Sequence, residues 1–387
     1  MHDCSFLNPK AVSMSTENKR SSSMVLTDWT QLPEELLQVI SEKMDNCFDV
    51  VHARSVCSLW RSTIPFPSSP SYSLPMFNEV SLENEGLCTL KKIPFFLFRV
   101  PTLAPAASAD EYFMGGIVQD ESEEDHMEEL PSPIQYSVKV KIRESEPTLM
   151  NMLNCQILSL GHQYRLMNWN PDGLKKPLRT MAFIPINKEG RIEFVLLLNY
   201  KGVLWVLTSG AKMKWKRLEN VRNGSCWNLV TFRGRFYASF IYGTSVVIDP
   251  YSLDVTLLMP SQPLLVTNYL VPYGNDELFL VQRIASHSTY RVSRLDEEAG
   301  KWVEVSHLGD RVLFINHPLL GNICCSAKEF PNGCGVIGNS VVVTYEAVGE
   351  TFFYKSVNNR WILSKEIRGK ILSNYPVVAF RVKHASP

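Results

Sequence analysis

The sequence has no excess charge of either sign, because 39 lysine and arginine residues balance 39 aspartate and glutamate residues. A nucleic-acid-binding protein usually carries a basic excess, so the composition gives no reason to expect nucleic acid or an anionic membrane as a partner. Long apolar runs are also missing: IPFFLF at 93–98 and FVLLL at 194–198 fall far short of the roughly 20 residues of a membrane helix. The N-terminal stretch MHDCSFLNPKAVSMSTENKRSSS lacks the apolar segment of a secretory signal. We therefore expect a soluble protein of the cytoplasm, the nucleus or both.

Paired cysteine spacing is missing as well. The nine cysteines are an odd number at irregular intervals, which is typical of reduced thiols. Cys324, Cys325 and Cys334 lie close in sequence, but adjacent cysteines do not fit the C-x(2-4)-C spacing of structural zinc, and no paired histidines follow. We expect buried thiols and no bound metal.

Motifs of catalysis and of nucleotide binding are absent or misplaced. Neither H-E-x-x-H nor G-x-S-x-G occurs, so we predict no catalytic residue. GCGVIG at 333–338 matches the dinucleotide fingerprint G-x-G-x-x-G, but it leads into the strand-like SVVVTY where the fingerprint needs a helix. It is interpreted as a glycine-rich turn, with no cofactor. KMKWKR at 212–217 alternates basic and apolar residues, as a half-buried strand at a sheet edge does, and is not interpreted as a nucleic-acid patch.

Helical patterns are confined to the segment 28–64. In LPEELLQVISEKM at 32–44, the side chains of Leu36, Leu37, Ile40 and Met44 form one apolar stripe of a helix. Two further short helices are predicted in FDVVHARSV and CSLWRST. The following FPSSPSYSLP is rich in proline and serine, so residues 65–75 are predicted to be a linker. Residues 1–27 are predicted to be a disordered tail.

Beyond residue 75 the pattern changes to short strands separated by Gly, Asn and Asp turns. One hairpin pattern recurs in four segments: LWVLTSGAKMKWKRL, VVIDPYSLDVTLL, YRVSRLDEEAGKWVEV and FFYKSVNNRWILSK. Aligning Trp215, Thr256, Trp302 and Trp361 gives steps of 41, 46 and 59 residues, near the roughly 40 to 50 of a propeller blade. Residues 76–387 are therefore predicted to form a β-propeller, with a two-sheet sandwich as the alternative. The acidic run DESEEDHMEE at 120–129 is predicted to be a loop.

Trp60 raises a separate question. Its helix is short, and the whole helical segment has fewer residues than a domain usually needs to form a stable core of its own. Either the three helices bury Trp60 against the rest of the chain, or another protein covers it. Tryptophan and arginine are favoured at the centres of protein interfaces, which favours the second hypothesis.

Residues 32–61, LPEELLQVISEKMDNCFDVVHARSVCSLWR, resemble an F-box. The recurring features of that motif are present: Leu-Pro at the start, a Leu-Leu and Ile stripe, and Val-Cys followed by Trp-Arg. In F-box proteins this module docks on the Skp adaptor of an SCF (Skp, cullin and F-box) ubiquitin ligase. The resemblance implies that nine residues form or support the adaptor contact: Leu32, Pro33, Leu36, Leu37, Ile40, Val56, Cys57, Trp60 and Arg61.

The remainder is similar to the large plant F-box family that carries a KIB-type β-propeller. FRGRFYASF, VVIDPYSLDVTLL, the segment from RLDEEAGKWVEV to SVVVT, and LSLGHQYRLMNW carry this resemblance. It implies a mainly β protein with a three-helix F-box at residues 28–64 and a C-terminal propeller. The expected function is that of a non-catalytic substrate receptor, which binds the Skp adaptor, and through it cullin, and presents an unidentified target protein. An F-box protein without substrate turnover and, less favoured, a propeller enzyme are the alternatives.

Overall fold

The computed structural model describes residues 28–44, 47–65, 71–75, 87–100, 111–119, 136–140, 148–151, 157–167, 179–188, 191–210, 213–219, 221, 225–260, 266–284, 289–317, 321–330, 336–345, 350–357, 360–368, 371–372 and 378–382. The predicted N-terminal tail at 1–27 and the predicted acidic loop at 120–129 lie outside these ranges.

Three short helices come first, as predicted: α1 (Glu34–Ser41), α2 (Cys47–Arg54) and α3 (Ser58–Thr63). Glu34 and Glu35 occupy the first turn of α1, where carboxylates interact favourably with the positive end of the helix dipole. Helices of six to eight residues are too short to be stable alone in water, so these three depend on packing against one another.

Strands make up most of the remaining described chain. They are β1 (Ser71–Pro75), β2 (Leu87–Val100), β3 (Glu111–Gln119), β4 (Tyr136–Val140), β5 (Thr148–Asn151), β6 (Ile157–Met167), β7 (Arg179–Lys188), β8 (Arg191–Tyr200), β9 (Val203–Thr208), β10 (Lys216–Arg217), β11 (Cys226–Phe232), β12 (Arg235–Phe240), β13 (Ser245–Ile248), β14 (Val255–Met259), β15 (Val266–Tyr273), β16 (Glu277–Ile284), β17 (Thr289–Asp296), β18 (Lys301–Glu304), β19 (Arg311–His317), β20 (Gly321–Ser326), β21 (Ser340–Tyr345), β22 (Glu350–Val357), β23 (Arg360–Arg368), β24 (Ile371–Leu372) and β25 (Val378–Val382).

Three successive blades are regular antiparallel sheets whose strands follow chain order: β7 to β10, β11 to β14, and β15 to β18. All four hairpins predicted from the repeated pattern are present, as the pairs β9/β10, β13/β14, β17/β18 and β22/β23. The repeat in the sequence therefore corresponds to the outer strands of the blades.

The other two blades are less regular. One is built on β2, which pairs with β6 on one side and with β1 and β3 on the other. The other runs in the order β20, β19, β21 and β22, with β19 and β21 parallel. The strand β25 pairs parallel to β3 and antiparallel to β4, so the end of the described chain completes a sheet begun near its start.

The blades close into a ring. The inner strands β6, β7, β11, β15 and β20 contact one another in that order, and β20 also contacts β6. Five apolar clusters of described residues fill the spaces between neighbouring blades; one example joins Phe95 and Leu160 of the first blade to Val312 and Phe314 of the last. The protein is thus three helices followed by a five-bladed β-propeller, and the sandwich alternative is wrong.

The predicted linker at 65–75 is wrong for its last five residues. Residues 71–75 form β1, an edge strand paired with β2. Leu74 is buried, and the carbonyl of Pro75 accepts a hydrogen bond from Trp215 Nε1 at 3.0 Å. A serine and proline composition resembles a linker, but proline is compatible with an edge strand, and the apolar residues Tyr72 and Leu74 alternate as a strand requires.

Buried asparagine side chains link neighbouring blades around the ring by hydrogen bonds. Asn199 Nδ2 of β8 donates to the carbonyl of Cys226 in the next blade at 3.0 Å. Asn228 Oδ1 of β11 accepts from the backbone N–H of Leu270 at 3.0 Å, and the carbonyl of Leu270 accepts from Asn322 Nδ2 of β20 at 3.1 Å. These side chains are all buried. Each amide pairs with a backbone group of β11 or β15, the strands at the inner edges of their blades.

A fourth asparagine, Asn268, ties β15 back to the preceding blade. Its Nδ2 donates to the carbonyl of Gly243 at 2.8 Å, and its Oδ1 accepts from Gln282 Nε2 at 3.3 Å. Asn199, Asn228, Asn268 and Asn322 are called the interblade amides below.

We expect Asn268→Ala to destabilise the propeller by about 2–4 kcal/mol, because it leaves two buried polar partners without a hydrogen bond. Urea unfolding followed by tryptophan fluorescence measures the loss. Asn275→Ala, in an exposed turn, is the matched control and should change stability by less than about 0.5 kcal/mol. Equal effects of the two substitutions would contradict a structural role for the interblade amides.

The strand β1 leads to a prediction about domain bounds. A fragment that begins at residue 71 should melt at a higher temperature than one that begins at residue 76, because the shorter fragment uncovers Cys88 and Leu90 and removes the acceptor of Trp215. Differential scanning calorimetry of the two fragments makes the comparison. Identical melting temperatures would show that β1 contributes nothing to the propeller.

Candidate protein-docking surface of the helical module

The helical module has a core of its own. Leu37 of α1, Val50 and Ala53 of α2, Trp60 of α3 and Ile64 form one buried cluster. Trp60 is only 8% exposed, and its Nε1 donates to the backbone carbonyl of Trp29 at 3.0 Å. The expectation that a second protein covers Trp60 is therefore wrong. Three short helices suffice because each contributes at least one large side chain to the same cluster, and the indole N–H finds its acceptor within the module.

Polar groups near this core are also satisfied internally. The guanidinium of the buried Arg54 donates to the carbonyl of Ile64, which ties the end of α2 to the residue that follows α3. Arg61 Nε donates to the carbonyl of Arg54 at 3.4 Å. Arg54, which the sequence analysis did not single out, therefore links α2 to the end of α3.

The outer surface of the module is apolar at several places. Leu36 is 50% exposed and Val39 is 55% exposed; they lie three residues apart on α1 and so share one face of that helix. Trp29, Val56 and Leu59 are exposed as well. These exposed side chains are not needed to complete the core, because Leu37 and Trp60 already fill it. Grouped exposed apolar side chains mark binding surfaces more often than isolated ones do.

The nine residues predicted to form or support an adaptor contact fall into three groups. Pro33, Leu36, Val56 and Arg61 are exposed. Leu32, Ile40 and Cys57 are half-buried, with Leu32 and Cys57 packed against the core. Leu37 and Trp60 are buried, so they can support a contact only by holding the helices in place.

Sequence reasoning missed three exposed apolar residues, Trp29, Val39 and Leu59. A signal for Val39 was available, because it stands three residues after Leu36 and therefore on the same helix face. Trp29 and Leu59 carried no such signal. Trp29 lies in a single turn before α1. Leu59 and Trp60 are adjacent in α3, and the sequence of so short a helix does not indicate which of the two is buried.

The propeller cysteines within the described ranges, Cys88, Cys226, Cys324 and Cys325, are all buried. Cys324 and Cys325 are buried and unpaired, and loss of hydration on burial raises the pKa of both thiols above the ordinary value. A protonated thiol is a poor nucleophile and a poor metal ligand. Within the described ranges, no three His, Cys, Asp or Glu side chains come together as a metal-binding group. Cys334 lies outside those ranges.

The structure describes parts of two other sequence motifs, GCGVIG and KMKWKR. The segment after GCGVIG is the strand β21, and a Cβ on Gly338 would lie 2.8 Å from Asp310 Cα, so that glycine permits close approach of two backbones. Lys214 and Lys216 are exposed near the sheet edge formed by β10, while Met213 and Trp215 pack against the apolar cluster behind it. The second observation agrees with the interpretation of KMKWKR as a half-buried edge, and the first residues of GCGVIG, 333–335, lie outside the described ranges.

No helix in the part of the chain that the structure describes is long and apolar enough to cross a membrane.

The division into core and surface can be tested on adjacent residues. Leu37→Ala should accelerate amide hydrogen exchange throughout residues 28–65, because loss of a fully buried leucine costs about 2–5 kcal/mol, comparable to the whole stability of so small a module. Leu36→Ala removes the same atoms from an exposed position and should leave the exchange rates unchanged. Hydrogen exchange mass spectrometry of the full chain measures both variants, and equal protection in the two would contradict this assignment.

Comparisons with known proteins agree with this architecture. Two family models match the chain: the F-box domain over residues 29–69 and the KIB1-4 beta-propeller over residues 125–365. The F-box/kelch-repeat protein At1g64840 of Arabidopsis thaliana is 52% identical, over 93% of this chain and 97% of its own length. The F-box/kelch-repeat protein At2g24250 of the same plant is 51% identical over 96% of this chain and 100% of its own.

A more distant relative is also similar over most of its length. The F-box protein SKIP23 of Arabidopsis thaliana is 26% identical over 75% of this chain and 78% of its own length. The resemblance inferred from the sequence motifs is therefore confirmed. With its N-terminal F-box and its five-bladed propeller, this chain belongs to the family of F-box proteins that carry a KIB1-4 beta-propeller.

Proposed function

We propose that this protein is the substrate receptor of an SCF-type ubiquitin ligase, in which the F-box binds a Skp-type adaptor and the propeller binds a target protein. F-box proteins are in general receptor or adaptor subunits rather than enzymes, and neither matched family is catalytic. Transfer of ubiquitin then belongs to other subunits of the complex. We place the protein in the cytoplasm or the nucleus, where such a complex would work.

The main support for the proposed adaptor contact is the exposure of Leu36 and Val39. Both are half-exposed on α1, although the core directly beneath them is complete without them. Burial of two such side chains in a partner would contribute about 3 kcal/mol or more. The absence of charged side chains at these two positions fits an apolar interface centre.

The propeller supports the second half of the proposal. A closed ring of blades is rigid, and its loops present side chains at two ends without exposing long sheet edges. A receptor that holds the adaptor through one domain and the target through another raises the local concentration of target lysines near the ligase. This division of labour needs no catalytic group in the chain.

The adaptor contact is tested by Leu36→Lys combined with Val39→Lys. Two charges desolvated in an apolar contact should weaken adaptor binding by about 3 kcal/mol, or at least a hundredfold in Kd. Isothermal titration calorimetry of the full chain with a purified Skp-type adaptor measures the affinity. Because both positions are exposed, the melting temperature of the chain should not change.

Gln38→Lys combined with Glu42→Gln is the matched control. It adds the same net charge to exposed polar positions at α1, and adaptor affinity should stay within about twofold of wild type. Unchanged affinity of the double-lysine variant would refute the proposed contact. Equal loss in the control would attribute the effect to net charge alone.

A further inference from the structure

The outermost strands of the three regular blades are β10, β14 and β18. An edge strand carries unpaired backbone N–H and C=O groups on its outer side, and charged side chains there usually keep other chains from pairing with it. Lys216 and Arg217 are exposed on β10, and Lys301 and Glu304 are exposed on β18. The strand β14, with the sequence VTLLM, has no charged residue. Among these three edges, β14 therefore lacks the usual protection.

The outward-facing backbone groups of β14 follow from its pairing with β13. The N–H of Asp249 donates to the carbonyl of Asp254 at 3.0 Å and so closes the hairpin. In an antiparallel ladder the hydrogen-bonded pairs alternate along the strand, so Thr256 bonds to β13 while Val255 and Leu257 direct their N–H and C=O groups to the outer side. Within the described residues, no strand pairs with β14 on that side.

The strand β14 is held from both faces of its sheet, although its edge is exposed. Leu257 is 49% exposed, and Thr256 is exposed as well. Val255 packs against the apolar cluster shared with the preceding blade, and Leu258 packs against the cluster shared with the following blade. An edge that is already ordered loses little entropy when a second strand pairs with it.

The accessible stretch of this edge is short. The hairpin turn lies at one end, and at the other end the register shifts between Ser245 and Val246 of β13, which leaves a bulge in the ladder before Pro260. The strand between these limits has five residues. A partner strand of the same length fits along it.

The spacing of the outward groups specifies an extended backbone as the occupant. Donors and acceptors on alternate residues match those of another strand, whereas a helix uses its own N–H and C=O groups internally. Pairing through two outward-facing residues buries far less than the roughly 1,200 Å² of a stable interface between two proteins, so this edge alone does not hold two copies of the chain together. A short extended segment of another protein fits both the hydrogen-bonding pattern and the size.

We infer that the outer edge of β14 is the place at which the propeller binds its target, and that the target supplies a short, extended, uncharged segment that pairs as a further strand of this blade. The inference rests on the proposed function, because it names the part of the propeller that takes up the target. The backbone of the segment bonds to Val255 and Leu257, and an apolar side chain of the segment packs beside Leu257.

The probe is a phage-displayed library of random peptides, selected on the full-length chain in the presence of excess soluble Leu257→Lys variant. Lysine on this edge reproduces the protection found on β10, so peptides that pair with the edge should prefer the wild-type chain. For a synthetic selected peptide, Leu257→Lys should raise the Kd measured by fluorescence anisotropy by about tenfold or more. Because Leu257 is half-exposed, the melting temperature of the variant should not change.

Val303→Lys is the matched control. Val303 is 41% exposed on β18, the outermost strand of the next blade, and that strand already carries charged side chains. The substitution adds the same charge to an edge that is not the proposed docking place, so the Kd of the peptide should equal that of wild type.

A backbone measurement separates strand pairing from a contact between side chains. Methylation of single amide nitrogens in the peptide should raise the Kd by about tenfold or more at alternate residues of the bound segment, and much less at the residues between them. The bound peptide should also slow hydrogen exchange of the Val255 and Leu257 amides by about tenfold or more, as resolved by NMR. Both measurements use the wild-type chain and so do not depend on the folding of a variant.

The inference is overturned by a selection in which no peptide prefers the wild-type chain, by equal losses of affinity in Leu257→Lys and Val303→Lys, or by methylation effects that do not alternate. Unchanged exchange of the two amides would contradict it as well. Self-association of the wild-type chain that Leu257→Lys abolishes, measured by sedimentation velocity, would identify a second copy as the occupant and would also overturn it.

Adaptor binding separates this inference from the proposed function. The Leu257→Lys variant should bind the Skp-type adaptor with wild-type affinity, since it leaves the helical module unchanged. If the adaptor fails to bind the wild-type chain while the peptide results hold, the ligase proposal fails and the docking edge stands. If the adaptor binds and the peptide results fail, only the docking edge is refuted.

Discussion

Closure of the ring is the constraint on which the rest of the propeller depends. Each blade is a small sheet with two apolar faces, and each face is buried only because another blade lies against it. The interblade amides add direction to this packing, since a hydrogen bond fixes the register of neighbours that apolar contacts alone would leave free to slide. Above this packing, one blade end contains a β-bulge at Trp227 and a left-handed backbone conformation at Tyr242.

The helical module reaches stability in the opposite way, by concentrating its apolar residues in one small cluster. Helix α1 therefore has two apolar faces: Leu37 lies in the core, while its neighbour Leu36 lies at the surface together with Val39. An α-helix places adjacent residues about 100° apart, so one short apolar run serves both an internal core and an external contact. Folding and binding are thus encoded by neighbouring positions of the same motif.

The sequence predicted the parts of this protein that repeat or that form local patterns. The three helices and the four hairpins follow from the spacing of apolar residues and turns, which depends on neighbours along the chain. The strand β1 and the burial of Trp60 could not be predicted in the same way, because each depends on a partner distant in sequence, β2 and Trp215 for the first and Trp29 for the second. The placement of Trp227 and Tyr242 was equally hidden, since only the register of β11 and β12 brings these two residues to one end of their blade.

The pairing of β25 with β3 and β4 has a consequence for synthesis in the cell. Translation delivers the helices and the first propeller strands long before β25 leaves the ribosome, and until then the early sheet lacks a member. The nascent chain must keep β3 and β4 from pairing with other exposed edges throughout that interval. A premature stop codon that removes β25 would accordingly harm the first-made sheet rather than the last, and such a product would be a substrate for chaperones and for quality-control proteolysis.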